Sequence, residues 1–182
     1  MMLKVLIFSI FVQIALCFPD GAPTQACENM TPVHGLNEPR PEEMPVDVLL
    51  ERDVIRAGEL ISVSLRARND TMFGPLQFRG FIIQAKITGA GAIPGRNVGT
   101  FELTDGARHV VCPTLGVNSV VTHTSNNEKG YIRLLWRAPV NIFEPTITVN
   151  FYYSIVWMVP MFWTNAVSSP LIIENPILME NP

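Results

Sequence analysis

Residues 120–139, VVTHTSNNEKGYIRLLWRAP, decide the fold class. Ile132, Leu134 and Trp136 alternate with Tyr131, Arg133, Leu135 and Arg137, the period of a strand with one buried face. Asn127 to Gly130 supply a turn into that run, and Pro139 ends it, because proline has no N–H to give to a ladder. A second strand is expected over 117–124. His123, set between Thr122 and Thr124, is either a working imidazole or a hydrogen-bonded structural one, and the structural role is the expectation.

The same period recurs outward from this stretch. In LISVSLRAR, 60–68, Ile61, Val63, Leu65 and Ala67 share one face, opposite Ser62, Ser64, Arg66 and Arg68. FRGFIIQAKIT, 78–88, points Phe81, Ile83, Ala85 and Ile87 inward. Further strands are expected at 107–112 and 130–137. PTITVNFYYSIVWMVPMFW, 145–163, is apolar enough to suggest a membrane helix, but Asn150, Ser154 and Pro160 interrupt it and its β-branched and aromatic residues are strand formers. It is expected to be a long core strand with an irregular exit. Roughly eight short strands bounded by glycine and proline turns indicate an all-β, immunoglobulin-like β-sandwich. Unlike antibody domains, this chain has Trp136, Trp157 and Trp163 all after Cys112.

The chain begins with MMLKVLIFSIFVQIALC, in which Lys4 precedes an apolar run and Ala15 and Cys17 occupy small-residue positions. Residues 1–17 are therefore expected to be a secretory signal peptide. A membrane anchor would want about 20 apolar residues, and Gln13 interrupts this shorter stretch. Residues 18–45 hold Pro19, Pro23, Pro32, Pro39, Pro41 and Pro45 and few bulky apolar residues, so a proline-rich, extended N-terminal arm should precede the sandwich.

Removing the signal also removes Cys17 and leaves Cys27 and Cys112. In an oxidising compartment a remaining pair is most simply a disulfide. The sequons Asn29-Met30-Thr31 and Asn69-Asp70-Thr71 fit a secreted, extracellular glycoprotein. The formal net charge is −3 and becomes one unit more negative without Lys4. A general nucleic-acid or anionic-membrane binder would carry a basic excess instead.

Residue types that could carry chemistry are sparse. His34, His109 and His123 lack the close alternate spacing of strand-borne metal ligands. A metal site assembled from distant strands stays open, although no metal or cofactor is expected. The glycine-rich stretch GAGAIPGRNVG, 89–99, is followed by the strand-like TFELTDG rather than by a helix, so it is not a phosphate cradle. No Gly-x-Ser-x-Gly motif is present, and pairing of the cysteines would leave no thiol. Arg66 and Arg68, with Arg133 and Arg137, would form a basic stripe if their strands were neighbours, suited to phosphate or carboxylate. The alternative is a solvated face with local acidic partners.

CENMTPVHG (27–35), RAGELISVSL (56–65), FRGFIIQAK (78–86), VGTFEL (98–103), the cysteine of HVVCP (109–113), VTHT (121–124) and IRLLWRAP (132–139) together resemble the reeler domain. The match runs from about Phe18 to Glu174, dividing the chain into a signal peptide (1–17), the domain (18–174) and a tail (175–182). The resemblance implies an immunoglobulin-like sandwich and supports the Cys27–Cys112 pairing. It places His34, His123 and Trp136 in family motifs, in structural or binding roles. Ferric-chelate reductase-like relatives append a haem-binding domain and a membrane core, so a chain ending at Pro182 is expected to lack that activity.

A signal peptide followed by one reeler domain is similar to small secreted arthropod defence proteins of the noduler-like group. That resemblance implies binding of microbial lipopolysaccharide, lipoteichoic acid or β-glucan, with an antimicrobial response or haemocyte aggregation. Contacts would be sought at Arg66, Arg68, Arg133 and Arg137. The alternative is an extracellular adhesion or matrix module for a host protein or glycan, favoured if Trp157, Met158, Met161, Phe162 and Trp163 form an exposed patch.

Overall fold

The computed structural model describes residues 18–32, 36–72, 74–89 and 97–180. His34 and the glycines at 91 and 95 lie outside them. Among the described residues there are eleven strands in two sheets, more than the expected eight, and the architecture is the expected β-sandwich.

The first sheet joins β1 (Val46–Leu50), β3 (Leu60–Ala67), β8 (Tyr131–Arg137) and β5 (Thr100–Glu102), in that order. The second contains β2 (Val54–Arg56), β11 (Leu171–Glu174), β9 (Thr146–Met158), β4 (Gly80–Thr88), β7 (Val120–His123) and β6 (Ala107–His109), again in that order. Its last member, β10 (Met161–Val167), pairs antiparallel with the C-terminal half of β9. The apolar stretch thus holds the expected long core strand, β9, but its exit is not irregular: the chain turns at Val159 and Pro160 into β10. Pro160 sits where no ladder donor is needed.

β7 and β8 do not pair with each other. The polar stretch between them carries the chain from one sheet to the other, and Lys129 organises that crossing by donating to the carbonyls of Arg79, Ser125 and Asn127. The expected inward faces hold. Ile61, Val63, Leu65, Ile132, Leu134 and Trp136 meet Phe81, Ile83, Val149, Phe151 and Ile155 across the interior. Trp136 packs edge-on to Phe151, with ring centroids 5.2 Å apart. Tyr153 stitches the sheets together, its hydroxyl donating to the Val46 carbonyl at 2.7 Å.

β4 departs from simple alternation because its outer face is buried too, at Ile82 and Gln84. The N-terminal arm covers it. The arm is not wholly extended: Thr24–Ala26 form a 3-10 turn that brings Ala26, Cys27 and Met30 against Ile82, Val110, Cys112 and Val120. Cys27 and Cys112 are disulfide-bonded within this second cluster. The tail holds one short helix, α1 (Pro176–Glu180).

Candidate functional site

Two of the arm's fastenings frame the site. At residues 20–22, the Ala22 N–H donates to Thr122 Oγ1 at 2.9 Å, and Arg108 donates to the carbonyls of Asp20 and Ala22. Gly21, at φ 113, lies so close to His123 and Thr122 that a Cβ would collide with them. Further along, the disulfide fixes Cys27. Between these anchors the arm stands over β4 and β9 and leaves a cleft of ≈ 230 Å³. Phe18, Ala22 and Met30 supply the arm side, and Ile82, Val156, Trp157 and Met158 the sheet side, with Arg79 and Asn126 also among the lining residues.

His123 also lines this cleft and is 8% exposed. Its Nδ1 accepts the Phe81 N–H at 3.2 Å. Gly80 makes room for the ring, since a Cβ there would stand 3.0 Å from Cε1. Burial holds the imidazole below its ordinary pKa, aided by the Lys129 and Arg108 charges and opposed by backbone hydrogen bonds of Phe81 and Phe18. His123 is therefore neutral near pH 7. His109 is likewise engaged, with Nε2 2.8 Å from the Phe101 carbonyl oxygen.

The depressed His123 pKa has a definite sign in stability. Between the folded-state value and about 6.5, the unfolded chain binds a proton that the folded chain does not. This contribution is complete above about pH 6.5 and is lost as pH falls toward the folded-state value. The melting temperature is therefore expected to fall between pH 7.5 and 5, and to fall less in His123→Gln. Equal pH dependence in both proteins would show that His123 contributes nothing to it.

Arg66, Arg133 and Arg137 lie on the outer face of the first sheet, where β3 and β8 are indeed neighbours, and Arg68 follows directly after the end of β3. They do not form an unbroken stripe. Arg66 sits opposite Tyr131 on β8 and Asp47 on β1, while Arg133 sits opposite Ser64 and donates to Ser62 Oγ. Arg68 is paired with Glu43 and Asp70, and Arg137 with Glu102 at 2.6 Å. Asp70 is the kind of local acidic partner that the solvated-face alternative anticipated, whereas Glu43 and Glu102 come from elsewhere in the chain. Among the described residues, Arg66 and Arg133 form no ion pair.

Asn29 and Asn69 are both exposed. Asn29 occupies a tight turn in which its Oδ1 accepts the Thr31 N–H at 3.0 Å. The apolar residues of 155–163, whose exposure would favour adhesion, are divided: Phe162 and Trp163 are core, whereas Met158 and Val159 are exposed beside the cleft. Sequence reasoning missed Arg108 as the arm's clamp and Gly80 as the space for His123. The alternation in 78–88 gave no sign that its outer face would be covered. Among the described residues no cluster of metal-ligating side chains occurs, and no helix is long and apolar enough to cross a membrane.

Comparison with known proteins agrees with this architecture. A family model described as Reeler domain matches residues 25–177. The crystal structure of the human F-spondin reeler domain superposes with a TM-score of 0.55 at 20% identity, covering 76% of this chain and 94% of that one. Among sequence relatives, human "Ferric-chelate reductase 1" is 30% identical over 78% of this chain. The chain spans only 22% of that protein's length. "Putative defense protein 1" of Antheraea mylitta is 28% identical over 85% of this chain and 86% of its own length.

Proposed function

Since the chain belongs to the Reeler domain family, we propose that it is a secreted, non-enzymatic defence protein that binds microbial envelope components: lipopolysaccharide, lipoteichoic acid or β-glucan. The observation that carries this reading is the end-to-end match with the moth defence-named protein, 85% of one chain against 86% of the other. The reductase relatives match over about a quarter of their length or less, and their activity is not carried over. Cleavage after residue 17 and glycans on the exposed Asn29 and Asn69 belong to the same reading.

Anionic phosphate on lipid A or lipoteichoic acid would engage the arginine face. Arg66 and Arg133 would make the first contacts, because Arg68 and Arg137 must exchange existing acidic partners. The double variant Arg66→Glu/Arg133→Glu is expected to weaken binding about tenfold, the size of one lost charge-assisted hydrogen bond, and to flatten its salt dependence. Unchanged binding would remove this face from the account.

The adhesion alternative loses part of its support, because Phe162 and Trp163 are buried. Sedimentation with whole Gram-negative, Gram-positive and yeast cells, at low and high salt, tests the proposal. Saturable co-sedimentation supports it. Absence of binding to all three cell types would overturn it in favour of a host partner.

A further inference from the structure

We propose that the cleft beneath the N-terminal arm is a binding site for a single unbranched alkyl chain bearing an anionic head. The inference stands on the cleft and needs nothing from the microbial reading, since a free fatty acid would fill it as well as an acyl chain of an envelope lipid.

Protein interiors are packed with few voids larger than a water molecule. A cavity of about 150 Å³ lined by apolar side chains already takes up benzene. At ≈ 230 Å³ this cleft is larger, and apolar side chains from both the arm and the sheet line it. It is held open rather than left over from loose packing. Arg108 and Thr122 fasten residues 20–22 and the disulfide fastens Cys27, so the arm cannot simply settle onto β9.

The polar groups select the head. His123 is buried, depressed in pKa and bonded to the Phe81 N–H, so it offers no charge to the ligand. Arg79 is half exposed in a 2.9 Å pair with Glu128, and Asn126 also lines the cleft. A carboxylate or phosphate beside Arg79 would compete with Glu128 for the guanidinium, while its chain runs in toward Ile82 and Met30. A solvent-screened surface pair contributes little to stability, so the exchange is inexpensive.

The test is a chain-length series of alkyl carboxylates from C4 to C16, with alkyl phosphates as a second arm, titrated into the purified disulfide-bonded protein below their micelle concentrations. Tryptophan emission and calorimetry are the readouts. Affinity is expected to rise about fourfold per methylene until the cleft is full and then level off. Ala22→Phe, which fills the cleft, and Met158→Glu, which charges a residue 39% exposed, should each cut affinity at least tenfold. Arg79→Gln should weaken carboxylates and phosphates while sparing the matching alcohols. A preference between the two heads would separate a fatty-acid from a phospholipid or lipid A source. Affinity that climbs without levelling, no saturable binding at any length, or equal binding by both cleft variants would overturn the site. Cell sedimentation is independent of this outcome.

Discussion

Replacing Cys27 and Cys112 together by alanine is expected to lower stability by roughly 4–5 kcal/mol. The bond spans a sequence separation of 85, and closing a loop of that length removes about this much free energy from the unfolded chain in the chain-entropy model. For a chain of this size the loss corresponds to a fall in melting temperature on the order of 10 °C. A second consequence is local. Cys27 and Cys112 are two members of the cluster that holds Ala26 and Met30 on Ile82, so residues 18–32 should become the first site of proteolysis. A change in melting temperature below about 2 °C, with the arm still protected, would show that the docked arm does not depend on the bond.

Trp136→Ala is expected to cost about 3–5 kcal/mol, the range for deleting a large aromatic from a packed interior. Trp136 is fully buried, stands edge-on to Phe151 and is the last inward-facing residue of β8. Gly99, at φ 65, passes so close to the indole that a Cβ would collide with it, so the surroundings are shaped around this ring. The indole Nε1–H is buried without an acceptor among the described residues. Trp136→Phe removes that orphaned donor, worth about 1–3 kcal/mol on burial, and should lose much less than Trp136→Ala. Urea unfolding of both variants measures the difference. A loss below about 1 kcal/mol for Trp136→Ala would contradict the packing described for β8.

The sandwich was legible in the sequence because period-two alternation is a local signal. Ile61, Val63 and Leu65, like Ile132, Leu134 and Trp136, declare their faces without reference to any partner. The disulfide was legible from parity once residues 1–17, with Cys17, were read as a signal peptide. What stayed hidden depends on contacts distant in sequence. The arm docks through Ala22 and Thr122, 100 residues apart, and nothing in the proline-rich stretch announces that it will cover Ile82 and Gln84. The arginine face was visible as spacing, whereas the pairing of Arg137 with Glu102 needed the adjacency of β5 and β8. Pro160 was seen as a break, but β10 returns along β9 only because Phe162 and Trp163 find the core.

Recognition of microbial envelope molecules is the central claim, and direct titration of purified lipopolysaccharide, lipoteichoic acid and soluble β-glucan into the disulfide-bonded protein tests it most directly. A sulfated matrix glycan serves as the competing ligand. The account predicts saturable binding to at least one microbial ligand, displaced from whole cells by the same free molecule and weakened by salt when that ligand carries phosphate. Binding to the matrix glycan alone would contradict it and assign the domain to adhesion.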